Sequence, residues 1–385
     1  GGAIGKYRIE VQPPELSSTI AIVTSTGWTY REPGLKRIIR VRLRKPSWSE
    51  YSVLVNEAIR FGPNTDVYGK MHSNFGIRFD GLAHNLISSS VEQYDDPDHN
   101  GDNEFGVHTH VDASGHGVGN NFQAAEAPPN AVPVRTDVFA VGREFPSPVV
   151  SFNELTIDLS FMKSQAQSGH GIYYDNSQCS NKTNLGRHIK LNGSTMTVST
   201  VTQLQPSSSS IKTEGCTLNN VNIPDNGIVF VENNIWLEGT INNKKVTFVA
   251  ANLLGGAKPA VYLGMGNLLY THFDGSEIIG LISQSGVTII KESLNDLTID
   301  AAMIAQSSNA GVEFPFGCDS QACTGPKGTL TINGAIASYL RYGFALTNGA
   351  GYSHRILNFS NILLYYPPPY FPTGTDYIID LWEEL

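Results

Sequence analysis

The residues best equipped for chemistry lie close together. Asp96-Pro97-Asp98-His99-Asn100-Gly101-Asp102-Asn103-Glu104 places a carboxylate or carboxamide at every second position, with Gly at the sixth. Short oxygen ligands at that spacing can converge on one hard cation, and the Gly permits the reversal. Asp96, Asp98, Asn100, Asp102 and Glu104 are therefore a candidate Ca²⁺ loop. The twelfth position of an EF-hand loop would be Val107 rather than Glu, which leaves a shorter loop closing on Glu104. The alternative is a solvated acidic turn. His99, His108, His110 and His116 follow in the same stretch. On a strand, His108 and His110 share a face, as zinc or copper ligands can. The surrounding Gly and Asn favour polar decoration of a surface loop instead.

Other chemistry finds little support. No G-x-S-x-G elbow and no H-E-x-x-H occurs. Gly115-His116-Gly117-Val118-Gly119 has no helix pattern behind it, so it does not read as a phosphate cradle. Asp296 and Asp300 are an acid pair of the kind a polysaccharide-cleaving protein uses. Asp300, however, takes the same outward place in a repeat as Glu238 and Asn333, and a structural role suffices for it. The expectation is a protein that is not an enzyme. The four cysteines fall into two plausible pairs, Cys179 with Cys216 and Cys318 with Cys323. Two disulfides imply an oxidising compartment. Neither pair has the two-residue spacing of a zinc knuckle.

These residues must be mounted on strands. From Gly227 to Gln306 the chain is a series of short apolar runs, GIVFV, WLEGTI, VTFVA, EIIGLISQ, VTII and LTIDAAMIAQ, broken by Asn, Asp and Gly. One unit, apolar-x-apolar-polar-Gly/Ala, recurs at Ile59, Ile77, Ile189, Ile235, Leu297 and Leu330, the first copy being shortened to Ile59-Arg60-Phe61-Gly62. Two apolar side chains on one face, a polar one away from it and a Gly for the corner suit stacked coils around an apolar column. The predicted fold is all-β, a right-handed parallel β-helix. An antiparallel sandwich is the alternative. The column should contain Ile59, Phe61, Ile77, Phe79, Ile189, Leu191, Ile235, Leu237, Leu297, Ile299, Leu330 and Ile332.

The sequence divides into a small β head at 1–46, a body at 47–365 with an inserted polar loop at about 93–134, and a Pro- and aromatic-rich strap at 366–385. The best helix pattern is Phe152–Ser164, and a short strand is expected at Tyr377–Trp382. Hydrophobic residues make up 40% and charged residues only 16%, with 38 Gly, a composition that suits an extracellular β protein with uncharged polar turns. The net charge of −9 and the lack of a basic stripe argue against nucleic acid and anionic membrane as partners. No apolar run approaches the roughly 18 residues needed to span a bilayer. The start, Gly-Gly without Met, implies a removed leader or a missing N-terminal segment.

Several stretches, in order, resemble a family of type IV pilus-assembly-associated surface proteins of the PilX type. They are Val23–Gly27, Tyr68–Asn74 with Gly76–Gly81, Gly106–His110, Leu297–Gln306 and the Pro367–Pro372 strap. The resemblance implies a pilin-like head, a β-helical body, and surface architecture or adhesion rather than catalysis. The family's N-terminal hydrophobic helix has no counterpart in this polypeptide. The implied partners are other pilus or surface-filament subunits, copies of itself and glycans. The other functional class to weigh is a β-helix carbohydrate-active enzyme or glycan-binding protein.

Overall fold

The repeated apolar pairs become strands that stack side by side. The computed structural model describes residues 4–385 apart from 16–17, 98–101, 113–125, 153–154, 178, 180–181, 314–317, 320–321, 324–325, 347–349 and 375. The twelve expected column residues are all buried in a single hydrophobic cluster. Burial of each such side chain contributes about 1.5–3 kcal/mol. Two neighbouring pairs of repeats lie in register, Ile59 and Phe61 facing Ile77 and Phe79, and Leu297 and Ile299 facing Leu330 and Ile332, while a third is offset by two residues, with Ile189 opposite Leu237. The polar places align as well. Asn358 Nδ2 donates to Asn333 Oδ1 at 2.8 Å, and Asn333 Nδ2 donates to Asp300 Oδ1 at 2.7 Å.

The repeat's Gly does something other than end a strand. The strands Asn234–Ile241 and Lys327–Ser338 run straight through Gly239 and Gly334. A Cβ on Gly334 would sit 1.9 Å from the Ala301 carbonyl oxygen of the neighbouring strand. The position demands Gly for close approach of two backbones.

The order of stacking does not follow the sequence. Val53–Val55 pairs in parallel with Met71–Ser73, which pairs with Ile87–Ser89, which pairs with Arg143–Glu144. The chain then crosses by the helix Leu155–Gln167 to the far end, where Gly171–Tyr174 begins a second series. That series runs in parallel through Gly227–Val231, Lys245–Ala250, Ile278–Ser283 and Leu297–Ala305 to Lys327–Ser338. Its last strand meets the first strand of the body, Ile336 opposite Val53 and Ser338 opposite Val55. The two half-stacks thus advance in the same direction and share a seam, where the later one ends and the earlier one begins. One departure from parallel pairing is the meander Gly186–Gly193, Thr195–Leu204 and Ile211–Asn222, whose strands pair antiparallel and make the large sheet mixed. The Cys179–Cys216 disulfide, with Cα atoms 5.8 Å apart, ties this meander down. Cys318 and Cys323 face each other on a two-residue antiparallel ladder, and their side chains lie outside the described residues.

A second apolar layer explains why the runs in the later half-stack are continuous rather than alternating. Val229, Phe248, Leu281 and Met303 face the column, while Ile228, Phe230, Val249, Ile282 and Ile304 face outward into a second cluster. Leu159, Met162 and Ala166 of the crossing helix, spaced three and four apart, cover that outer face together with Phe371. The helix, Leu155–Gln167, falls on the stretch expected from the sequence, Phe152–Ser164 with its extension to Ala166. Pro367–Pro369 are buried on the same flank, and Thr247 Oγ1 donates to the Pro369 carbonyl.

The head is a four-stranded antiparallel sheet. Gly5–Gln12, Ile20–Thr29 and Lys36–Arg44 supply three strands, and the C-terminal strand Ile378–Glu384 adds the fourth beside Lys36–Arg44. Head and body join at a Ser47–Thr373 bridge and a Gly374 N–H bond of 2.8 Å to the Pro46 carbonyl.

Candidate functional site

The stretch expected to be a polar surface loop begins inside the stack. Gln93–Tyr94 pairs antiparallel with Glu104–Phe105, and Val107–His108 then joins Ile77–Phe79 in a parallel ladder, Val107 opposite Ile77 and His108 opposite Arg78. The chain between these two pairings is tight. A Cβ on Gly106 would lie 1.9 Å from the Val91 carbonyl oxygen, so only Gly lets the strand return beside the hairpin. The reading of His108 and His110 as surface decoration is corrected by burial: both are 0% exposed, as is Glu104, and Asp96 is 2% exposed. Charged neighbours make that burial tolerable. Arg78, also fully buried, donates through Nε to Asp80 Oδ2 at 2.8 Å, and its Nη1 lies 3.9 Å from Asp96 Oδ2.

Hydrogen bonds hold the backbone that carries the imidazoles. Asp80 Oδ1 accepts from the His110 N–H at 2.9 Å, and Glu104 Oε2 accepts from the Asp96 N–H at 3.0 Å. The result is a cluster in which one ligand atom each from Asp96, His108 and His110 lies within 4.8 Å of the others. The His108 and His110 rings are 5.2 Å apart, and Tyr94 packs 5.5 Å from His108. Burial, reinforced by the Asp96 and Glu104 carboxylates, pushes the Tyr94 hydroxyl well above its ordinary pKa.

Of the five residues expected to hold Ca²⁺, Asp98 and Asn100 lie outside the described residues, Asp102 is exposed, and Asp96 and Glu104 are buried together. The sequence pointed to the pairing of His108 with His110 through their i, i+2 spacing. It carried no signal that Asp96 joins them, because that contact depends on the hairpin between Gln93 and Phe105. His99 and His116 lie outside the described residues.

Two further polar groups are internally committed. Buried His188 bridges Glu214 through Nδ1 and Glu238 through Nε2, the latter at 3.1 Å, and this hydrogen bond holds the Glu238 carboxyl below its ordinary pKa. Asp300 accepts from Asn333 and from the Tyr270 N–H at 2.8 Å; burial raises its pKa against the pull of these bonds. Asp296 accepts from the Thr329 N–H at 2.8 Å. The acid pair thus serves strand-to-strand bonding. An open cavity of about 740 Å³ lies at the corner formed by Arg60, Arg341, Tyr342, Tyr352 and Arg355. The Arg355 guanidinium is occupied there by the Tyr352 and Ser353 carbonyls and Thr65 Oγ1.

The head presents a different kind of surface. Tyr7, Ile9 and Val11 alternate along one strand, and the register sets them beside Val23, Ile39, Val41 and Trp382 on one face. Tyr7, Ile9, Val11 and Trp382 are 73%, 55%, 64% and 56% exposed. Among the described residues, no helix is long and apolar enough to cross a membrane.

No family model matches the chain, and no curated protein does. Among solved structures, the competence-associated pilin ComZ from Thermus thermophilus aligns over 100% of this chain and 84% of that one, with 11% identity and a TM-score of 0.33. A likeness at that level carries no argument about fold or role.

Proposed function

We propose that this chain is a non-enzymatic extracellular component of a type IV pilus or other surface filament, with a structural or adhesive duty. In this reading the body is a right-handed parallel β-helix and the four-stranded sheet is the head that docks to filament subunits. The observation that carries it is the apolar head face formed by Tyr7, Ile9, Val11, Val41 and Trp382. A contiguous exposed apolar surface of this kind marks an interaction site, and alternating side chains on a sheet present it as a flat platform. The order of motifs that resembles the pilus-associated surface proteins supports the same assignment. The test is co-purification with sheared surface filaments. Ile9→Asp with Val11→Asp is expected to leave secretion and far-UV circular dichroism unchanged while recovery with filaments falls to background. Undiminished recovery overturns the docking role of this face.

The cavity beside Arg60, Tyr342 and Tyr352 favours a second reading, in which the body binds glycans. A glycan array probed with the purified chain, followed by Tyr352→Ala, decides whether that corner is used.

A further inference from the structure

We propose that Asp96, His108 and His110 form a binding site for a single transition-metal cation of the zinc class. The claim is independent of the filament assignment. Three observations lead to it.

The first is His108 itself. It is completely buried, yet neither ring nitrogen makes a hydrogen bond. A buried imidazole left this way loses the hydration of two polar atoms, a cost of about 1–3 kcal/mol per unsatisfied group. Metal coordination is one interaction that recovers it.

The second is spacing. His108 Nε2 lies 3.6 Å from Asp96 Oδ2. That is too long for a hydrogen bond, which would fall at roughly 2.7–3.2 Å. Two ligands sharing a tetrahedral zinc at about 2.1 Å sit roughly 3.4 Å apart. His110 brings the third ligand atom within 4.8 Å of the other two, a gap that side-chain rotation closes. Two imidazoles two residues apart and a carboxylate from the adjoining hairpin make a three-ligand set with a further coordination position for water or another group.

The third is charge and donor type. Three buried carboxylates, Asp80, Asp96 and Glu104, surround the cluster. They are opposed by the Arg78 guanidinium and, at 3.9 Å from Asp80, by that of Arg60. The Asp96 carboxylate beside two imidazoles is a mixed oxygen and nitrogen donor set that suits a divalent cation. Imidazole nitrogens select zinc, copper, nickel or cobalt over calcium, which takes six to eight oxygens. The buried part of the acidic stretch therefore fits a softer ion than its alternating oxygens indicate.

The experiment uses the whole chain, stripped with chelator and returned to metal-free buffer. Co²⁺ is titrated and followed by its visible absorption, and Zn²⁺ by calorimetry, with Ca²⁺ and Mg²⁺ as controls. His108→Gln, His110→Gln and Asp96→Asn are near-isosteric, and His354→Gln controls for adventitious binding to an exposed histidine. The expected result is one equivalent of Co²⁺ or Zn²⁺ on the wild type and no competition from Ca²⁺. His108→Gln should weaken binding by at least about 100-fold, since loss of outer-sphere partners alone costs 10–100-fold. His354→Gln should leave it unchanged. The proposal is overturned if the folded wild type takes up neither ion, if folded variants of all three ligands bind as tightly as wild type, or if Ca²⁺ displaces Co²⁺. Circular dichroism of each metal-free variant identifies any that fail to fold, and the wild-type titration then decides alone.

Discussion

The two half-stacks solve one packing problem with different materials. In the half that starts at Val53, the strands Val53–Val55, Ile59–Phe61, Thr65–Val67, Met71–Ser73, Ile77–Phe79 and Ile87–Ser89 are three residues each. Their neighbourhood buries His72, Arg78, Asp80, Ser89, Glu104, His108 and His110. In the half that ends at Lys327–Ser338, strands reach nine and twelve residues and are apolar on both faces, one toward the column and one under the helix and strap. Hydrophobic burial holds the second half and depends little on exact geometry. The second half buries His188, Glu232, Glu277 and Asp300 as well, but the first gathers Arg78, Asp80, Asp96, Glu104, His108 and His110 around one place, where each depends on its neighbours. A charged, partly unsatisfied interior is also the kind that can take a ligand, which is why the candidate metal centre sits there.

The largest expected effect tests whether the halves are one folding unit. Phe248→Ala in the long-stranded half and Phe79→Ala in the short-stranded half each remove a buried ring from the same column and should each cost about 3–5 kcal/mol. Because the ladder from Ile336–Ser338 to Val53–Val55 joins the halves, both variants should lower a single calorimetric transition. Two transitions, each sensitive to only one of the variants, would show that the seam does not couple them.

The next effect separates charge from apolar packing. Arg78→Met removes a guanidinium from beside Asp80 and Asp96, leaving buried carboxylates without it, and should destabilise by about 3–5 kcal/mol. Arg40→Met breaks an exposed pair with Glu383 on the head and should cost about 1 kcal/mol or less. Equal losses in urea melts would mean that Arg78 matters only through packing.

The smallest effects concern pH, and within the apolar half two carboxylates act in opposite senses. Burial raises the pKa of Asp300, so the native state holds that proton more tightly than the unfolded chain, and stability is lost as pH rises from the ordinary aspartate value through the raised one. The His188 hydrogen bond lowers the pKa of Glu238, so its contribution is present above the ordinary glutamate value and is lost as pH falls through the lowered one. Asp300→Asn should remove the first dependence and Glu238→Gln the second. Unfolding free energies measured across the acid range check both, and unchanged profiles in the variants would refute the assignments.

Much of this was readable beforehand. The period-two apolar pairs identified every expected column residue, because a side chain's face on a strand is set by its parity alone. The Cys179–Cys216 pair followed from an even cysteine count and the excursion between the two residues. The glycine of the repeat was visible, but its reason was not, since close approach to a carbonyl depends on which strand lies alongside. The polar stretch after Gln93 departs from its expected exposure for a related cause. Asp, His and Glu read as solvated when their partners are unknown, and Arg78, the neighbour that allows their burial, lies fifteen residues or more away in sequence.

What the sequence by itself determined is local: which residues face inward, where strands can run, and which histidines share a side. The tertiary structure alone decided how those strands are ordered. A short parallel strand carries the same pattern whatever its neighbour, so nothing in Val53–Val55 or Ile336–Ser338 announces that they meet across more than 280 residues. That choice came from the crossing helix, which carries the chain to the far end, and from the strap and closing strand, which bring the C-terminus back to the head. The site needs a shorter-range choice of the same kind: His108 is placed by pairing with Arg78, His110 by the Asp80 carboxylate, and Asp96 by Glu104 across the hairpin.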